Sequence, residues 1–430
     1  MPPSCPVPPA AGQQFITEGH AEYVGADCGG ELTAVRGGHG ALIEYLDQVV
    51  DHRSRQGLRY ELGFLLGVVV AATACAGHDE VAAQAQWAAD APVGVLRALG
   101  AQPDPLTGTI STPSEATLRR ALAKVDTAQL QRMSTEWTQA LRASASDGES
   151  DGESAGLPAV AIDGKSVRGA AAGGNPRPHL LSAATHDGAI VIAQRQIPDK
   201  GSEIGELAAL VAELDLAGTV VTVDALHTQR ATAEHLVTAK NADYIMTIKA
   251  NQPRLLAAAQ QALSGPGTDF VEHTEDDRGH GRTEERILRT VAVSPEMGID
   301  FPHAAQLFRV IRHVGGLDDQ RRTKEVAYCA TSLAPDRATA PDLGELLRGH
   351  WGAIENKIHW VRDTTFNEDA STLRTGTAPQ AMAIIRNTLI AAFRLTGWTN
   401  LKQARRHFSH AAHRCADLIT KPLKTVKLQT

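Results

Sequence analysis

Apolar positions follow two different periods along this chain, and the switch between them divides it. From Ala41 to about Ala143 the spacing is helical: LIEYLDQVV, the run LGFLLGVVVAATACAG from Leu62 to Gly77, EVAAQAQWAA and VGVLRALG follow one another with short breaks. TPSEATLRRALAKV then opens with Thr112 as N-cap, Pro113 at the first helical position and Glu115 three residues after the cap, which predicts a capping box. After Gly156 the texture becomes strand-like. PAVAID, HLLSAATH and AIVIAQRQI read as strands, GSEIGELAALVAELD as a helix, TVVTVDAL as a strand, TQRATAEHLVTAK as a helix and ADYIMTIK as a strand. PAVAI and TVVTV are nearly all apolar, as expected for central strands covered on both faces. Residues about 254–334 read as further strands: RILRTVAV, QLFRVIRHV and EVAYCATSL. A long amphipathic helix follows. Leu347, Ile354, Ile358 and Val361 draw its apolar stripe, and Trp351, Glu355, His359 and Arg362 lie on the flank. Residues 379–430 form a final helical, basic segment that includes Arg405, Arg406, Arg414, Lys421, Lys424 and Lys427.

Composition sharpens the boundaries. Residues 1–38 are rich in Pro, Gly and Ala without a period, so they are expected to be disordered. Residues 144–157, built on the near-repeat Asp-Gly-Glu-Ser, read as an acidic flexible linker. The helical block 39–143 between them carries Arg53, Arg55, Arg59, Arg119 and Arg120, a set that suits either phosphates or a solvated surface. A net charge of −7 argues against a uniformly basic nucleic-acid coat and leaves only local patches. The five cysteines are scattered, without a CxxC pair, which suits a reducing cytosol and neither a disulfide framework nor a zinc cluster. The first residues lack a signal-peptide pattern, and Leu62–Gly77 is shorter than the roughly 20 residues of a membrane span. That run is expected to be a buried helix of a cytoplasmic protein.

Candidate chemistry comes from three acids. Asp163 and Asp224 each end an apolar strand, and Glu355 sits within the amphipathic helix. Three strands followed by alternating helix and strand, with acids after the first and fourth strands, is the pattern of a ribonuclease-H-like α/β core. In that topology the first and fourth strands are neighbours, so Asp163 and Asp224 would lie side by side. Two Asp and one Glu are a suitable oxygen set for two Mg²⁺ (or Mn²⁺) ions, with Asp163 bridging, Asp224 on one ion and Glu355 on the other. Two of the acids have plainer readings, Asp163 before Gly164 as a turn residue and Glu355 as part of a salt-bridged helix shoulder, whereas Asp224 before Ala225 lacks a turn former. Lys165 and Arg168 either contact phosphate or offset Asp163. Lys249 and Asn251 of KANQP suit the DNA backbone or a polar turn. His280 and Glu284 are four apart in HGRTEER, but an extended run would hold them apart, which favours DNA contacts by Arg282 and Arg286. No HExxH or HxH spacing occurs among the 17 histidines, so zinc is not expected.

Taken in order, AIDGKSVRGA, KGSEI, TVDALHTQ, ADYIMTIKANQP, HGRTEERIL and RGHWGAIENKIHWVRDTTFNEDAS resemble the DDE transposases of the ISAs-one group, which includes the H-repeat-associated proteins. DHRSRQGLRY and PSEATLRRAL resemble the N-terminal domain found with them, so the resemblance runs from about Ala41 to Ser409. It implies a ribonuclease-H-like catalytic domain over 158–378, interrupted by a strand-rich insertion at 254–334, after an all-helical, DNA-binding N-terminal domain. It implies Asp163, Asp224 and Glu355 as the metal-binding catalytic acids. Arg348, Trp351, Lys357 and Arg362 join Lys165, Arg168, Lys249, Asn251, Arg282 and Arg286 as implied DNA contacts. The implied partners are double-stranded DNA, as inverted-repeat element ends and target, and a second copy of the chain in the DNA complex. Two departures stand out. Gly352 and Ala353 separate Trp351 from Ile354, one residue more than in related transposases, and Arg362 stands where a lysine is usual. The competing readings are a transposase-derived DNA-binding protein or nuclease without transposition activity and, from another class, a paired-carboxylate sugar hydrolase. Aromatics at 4% and no sugar-stacking cluster near the aspartates disfavour the hydrolase.

Overall fold

The computed structural model describes residues 40–426 except 55, 57, 147–155, 171–177, 198–199, 265–269, 280–281 and 317–322. The expected disordered segment, most of the acidic linker, Arg55, His280 and Lys427 lie outside the described residues. The architecture is mixed α/β, built on one large sheet. Its strands are β1 (Ala159–Ser166), β2 (His179–Thr185), β3 (Val191–Ile197), β4 (Val220–Val223), β5 (Asp243–Ile248), β6 (Val271–Gly279), β7 (Arg282–Ala292), β8 (Gln306–Gly316) and β9 (Thr323–Thr331). They lie in the order β3-β2-β1-β4-β5-β9-β8-β7-β6. The helices are α1 (Leu42–Leu46), α2 (Leu62–Ala74), α3 (Val81–Asp90), α4 (Val93–Ala98), α5 (Glu115–Leu122), α6 (Thr127–Ser146), α7 (Glu203–Leu210), α8 (Arg230–Glu234), α9 (Pro253–Ser264), α10 (Ala340–His350), α11 (Trp360–Thr365), α12 (Ala378–Leu395), α13 (Leu401–Ser409) and α14 (Ala412–Thr420).

The expected order of strands and helices through β5 is present. β1 and β4 are parallel neighbours, with Ile162 opposite Val223 as their last paired residues. One residue further along each chain stand Asp163 and Asp224, where the two strands part. β1 does not end at Asp163, as its apolar run suggested; it continues to Ser166 by pairing with β2. The region 254–334 adds α9 to the expected strands and extends the main sheet, because β9 pairs antiparallel with β5. β6 escaped the hydrophobic pattern because it is an edge strand of mostly exposed polar residues, VEHTEDDRG.

Alternation along the strands divides the core. Ile162, Leu181, Val221, Val223, Tyr244 and Met246 pack with α7 and α9. Val220 and Ile245 face Leu343, Leu346 and Leu347 of α10. Ala161 and Ala184 belong to a helical core in which Val69 of α2, Leu118 of α5 and Trp137 of α6 meet Ile385, Leu389 and Phe393 of α12. The N-terminal helices thus share their apolar interior with the C-terminal ones. α2 is buried along all 13 residues, which accounts for its unbroken apolar run. Among the described residues no helix is long and apolar enough to cross a membrane. Cys75 and Cys415, far apart in sequence, meet in this core with Sγ atoms 3.1 Å apart.

The capping box expected at Thr112 is displaced. Ser114 caps α5 instead, its hydroxyl accepting from the Thr117 N–H. The Thr112 carbonyl accepts from the Tyr60 hydroxyl at 2.7 Å, and the helix begins only after that anchor. A capping box does form at Thr339 and Asp342, before α10.

Candidate active site

The parting of β1 and β4 opens a gap at the ends of these two central strands, and acids occupy both sides of it. Asp224 accepts the N–H groups of Leu226 (2.9 Å) and His227 (3.3 Å), which fixes the turn that follows β4. Asp163 lies with Oδ2 3.4 Å from His359 Nδ1. Burial raises its carboxyl pKa, but His359, the nearby His350 and the Gly164 N–H together outweigh this and leave it below the ordinary carboxylate range. Glu355 approaches from the third side. Partial burial pushes its carboxyl up, the charges of Asp163 and Asp224 push it further, and only Lys249 opposes them. These three carboxylates therefore feel one another across the gap. Among the described residues no group of three or more His, Cys, Asp or Glu side chains is gathered closely enough to hold a metal ion as it stands. Of the three, Glu355 is the one exposed on its element.

The helix carrying Glu355 is not a uniform α-helix. α10 runs into a π-helical segment, Trp351–His359, before α11 resumes. Ile354, Ile358 and Val361 are buried as the stripe predicted. A π turn closes i→i+5 bonds and so holds one more residue than an α turn. The residue extra to the usual spacing, within Gly352–Ala353, falls inside this segment and is absorbed there without turning the stripe out of the core.

Histidines line the floor. Thr222 of β4 contacts His350 Nδ1 (3.1 Å) and His186 Nε2 (2.9 Å) through its hydroxyl. Burial, with the charges of His350 and Lys357, lowers His186 to about 4, so it is neutral at physiological pH. Burial also lowers the pKa of His350 and of His359, against the pull of Asp163. Behind the acids lies a group the sequence did not single out. Glu203, at the start of α7 and 2% exposed, holds His179 Nε2 (2.5 Å) and His227 Nε2 (3.2 Å) on its two oxygens. Burial opposes its charge, but the two imidazoles prevail and keep its carboxyl at about 2. Gly164 is required beside this group: a Cβ there would meet the His179 ring and come within 2.6 Å of Glu203 Oε1. A motif such as KGSEI offers no periodic signal for a buried Glu, because its partners come from β2 and the β4 turn.

The expected DNA contacts separate into three kinds. Lys249, Lys357 and Trp351 are exposed, and Arg168 is 71% exposed, 3.7 Å from Asp369. Others are engaged within the protein. Lys165 pairs with Asp363 at 2.6 Å, Arg348 pairs with Glu275 of β6, and the Asn251 amide donates to the Ala225 carbonyl (2.6 Å), bracing the Asp224 turn. Arg286 and Arg312 bind the buried Glu284, with Arg282 3.9 Å from it and half exposed. Arg362 is a correction. It is fully buried, donating to Glu368 from Nε (3.1 Å) and Nη2 (2.7 Å), and a guanidinium so enclosed has nothing to offer outside. Arg386 adds a further bond to Glu368 at 2.9 Å. Glu368, six residues after Arg362, is thereby fixed in the core between two arginines.

Residues 43–138 match the family model described as DDE_Tnp_1-associated. "Putative transposase YncI" of Escherichia coli O157:H7 is 27% identical over 82% of this chain and 87% of its own length. "H repeat-associated putative transposase YhhI" of Escherichia coli K12 is 30% identical over 54% of this chain and 62% of its own. The chain is thus similar to proteins named as putative transposases, H-repeat-associated ones among them. The match to YncI runs through about four fifths of this chain, whereas that to YhhI stops short of two thirds of the relative. Among solved structures, the piggyBac transposase synaptic complex with hairpin DNA covers 88% of this chain and 77% of its own at 10% identity and a TM-score of 0.37, too low to bear on fold or chemistry.

Proposed function

We propose that this chain is a DNA transposase of an insertion sequence, binding its element ends and catalysing divalent-metal-dependent strand cleavage and strand transfer on a ribonuclease-H-like core. The observation that carries the reading is that Asp163, Asp224 and Glu355 face one another where β1 and β4 part, with the Glu355 carboxyl pushed up first by burial and then by the other two. Carboxylates that repel one another at the ends of two central strands are candidates for a functional site. The order β3-β2-β1-β4-β5 is that expected of a ribonuclease-H-like core, and the relatives named as transposases bring DNA into view as the partner.

The donor set is all oxygen and suits Mg²⁺ or Mn²⁺, and Asp163, Asp224 and Glu355 are the residues that would hold two such ions. Bound there, the metal supplies an activated nucleophile and stabilises the leaving oxygen of a phosphodiester. The protein's own contribution is orientation. His359 aims the Asp163 carboxylate, the Leu226 and His227 N–H groups hold Asp224, and neutral His186 and His350 fill the floor without adding charge. Exposed Lys249, Lys357 and Arg168 are placed to meet the phosphate backbone of double-stranded DNA, with a second copy of the chain completing the synapse. Such a protein works in the cytoplasm, on the nucleoid.

The test is nicking of DNA carrying the native element ends by the full-length protein. Mg²⁺ or Mn²⁺ is expected to support it. Ca²⁺, with its longer bonds and larger coordination number, is expected to permit binding without turnover. Full nicking in EDTA would remove the metal from the account, and binding without any nicking in Mg²⁺ would leave a transposase-derived DNA-binding protein.

A further inference from the structure

Tryptophans are few in this chain, five in all, and two of them stand outside. Trp87 and Trp137 are buried, and Trp398 packs against His407 and Phe408. Trp351 is 40% exposed and Trp360 57% exposed, and both lie on the helix that carries Glu355. An indole carries a large apolar face with one polar N–H, which suits it to stack against a partner.

The π segment determines where Trp360 stands. In an α-helix, positions five apart point about 140° away from one another. Here the Trp360 N–H donates to the Glu355 carbonyl across an i→i+5 turn, so Trp360 follows Glu355 by one turn on the exposed side. Its surroundings are basic. Lys402 Nζ lies 5.9 Å from the centre of the indole ring, and Arg406 follows Lys402 by one turn on the exposed side of α13. A flat π face beside an ammonium group, on the exposed side of a helix pair that also carries Arg406, matches a nucleotide, whose base stacks and whose phosphate is anionic. Bases inside a duplex already have both faces stacked, so the complementary form is an unstacked base.

We propose that Trp360, with Lys402 beside it, is a stacking site for an unpaired nucleobase of the DNA strand handled at Glu355. The site rests on the reading of DNA as the substrate. It assigns to Trp360 a part in holding the strand end open next to the acids, separate from metal binding.

The test uses full-length protein and duplexes carrying the native element ends, with 2-aminopurine placed in turn at each position around the cleavage junction. In Ca²⁺, the wild type is expected to quench 2-aminopurine at one such position, and Trp360→Ala is expected to lose that quenching. In Mg²⁺, Trp360→Ala is expected to cleave roughly tenfold more slowly, while Trp360→Phe keeps most of the rate. An abasic nucleotide at the quenched position is expected to slow the wild type to the rate of Trp360→Ala and leave the variant unchanged. Wild-type cleavage and quenching by Trp360→Ala would overturn the proposal. So would a variant whose only change is a smaller sedimenting mass without DNA, since Trp360 would then seal a contact between copies. Failure of the wild type itself to bind or cleave would instead defeat the reading of DNA as substrate, and this site with it.

Discussion

Glu355→Gln is expected to lower strand cleavage more than about a thousandfold, a loss of ~4 kcal/mol of transition-state stabilisation, while binding of end DNA stays within a few-fold of wild type. The amide keeps the size and hydrogen bonding of the side chain and removes the charge a divalent ion needs. The structure adds an expectation about stability. The Glu355 carboxyl is raised first by partial burial, then by Asp163 and Asp224, so its charge is disfavoured in the folded chain. Removing that charge relieves repulsion, and the thermal midpoint is expected to hold or rise slightly. Loss of activity without loss of stability is the signature of a functional rather than a structural acid. Near-normal cleavage by Glu355→Gln would reduce the π segment to scaffolding.

Glu368→Gln is expected to fail in the opposite manner. Glu368 is fully buried between Arg362 and Arg386, and its neutralisation leaves two enclosed guanidinium groups without a counter-charge. Breaking a buried pair from one side costs roughly 3–5 kcal/mol, read as a lower urea midpoint with the slope unchanged. Acid should act on the same carboxylate. Burial opposes its charge, but Arg362 and Arg386 together pull its pKa from 4.5 down to about 2. A lowered folded pKa gives stability that is complete above about 4.5 and is lost as pH falls through about 2, on the order of 3 kcal/mol from this group. The wild type is expected to show that decline and the variant to lack this part of it. An unchanged urea midpoint in Glu368→Gln would mean that the pair of arginines is satisfied without it.

Several features were legible in the sequence because they depend on local pattern. The apolar runs PAVAI and TVVTV specify neighbouring central strands, and register alone then sets Asp163 beside Asp224. The stripe through Leu347, Ile354, Ile358 and Val361 correctly names the buried side of the long helix. What the pattern could not hold was anything set by a partner distant in sequence. Arg362 shares the flank with Glu355 by α-helical count, yet Glu368 and Arg386 draw it into the core. Glu203 gains its meaning only from His179 and His227. Trp360 was passed over because a 3.6-residue period points it away from Glu355, and a π turn leaves no mark on such a count. The Ser114 cap was missed for a similar reason: the hydroxyl of Tyr60, 52 residues before Thr112, holds the carbonyl that would have begun the helix.

Mn²⁺ binding, followed by electron paramagnetic resonance on the full-length protein with uncleavable end DNA, tests the central claim most directly. The wild type is predicted to hold about two ions per site. Asp163→Asn, which removes one carboxylate of the proposed metal site, is predicted to lose them while still retaining the DNA. Asp163→Asn binding Mn²⁺ with wild-type stoichiometry and affinity would contradict the assignment of these acids as the metal site.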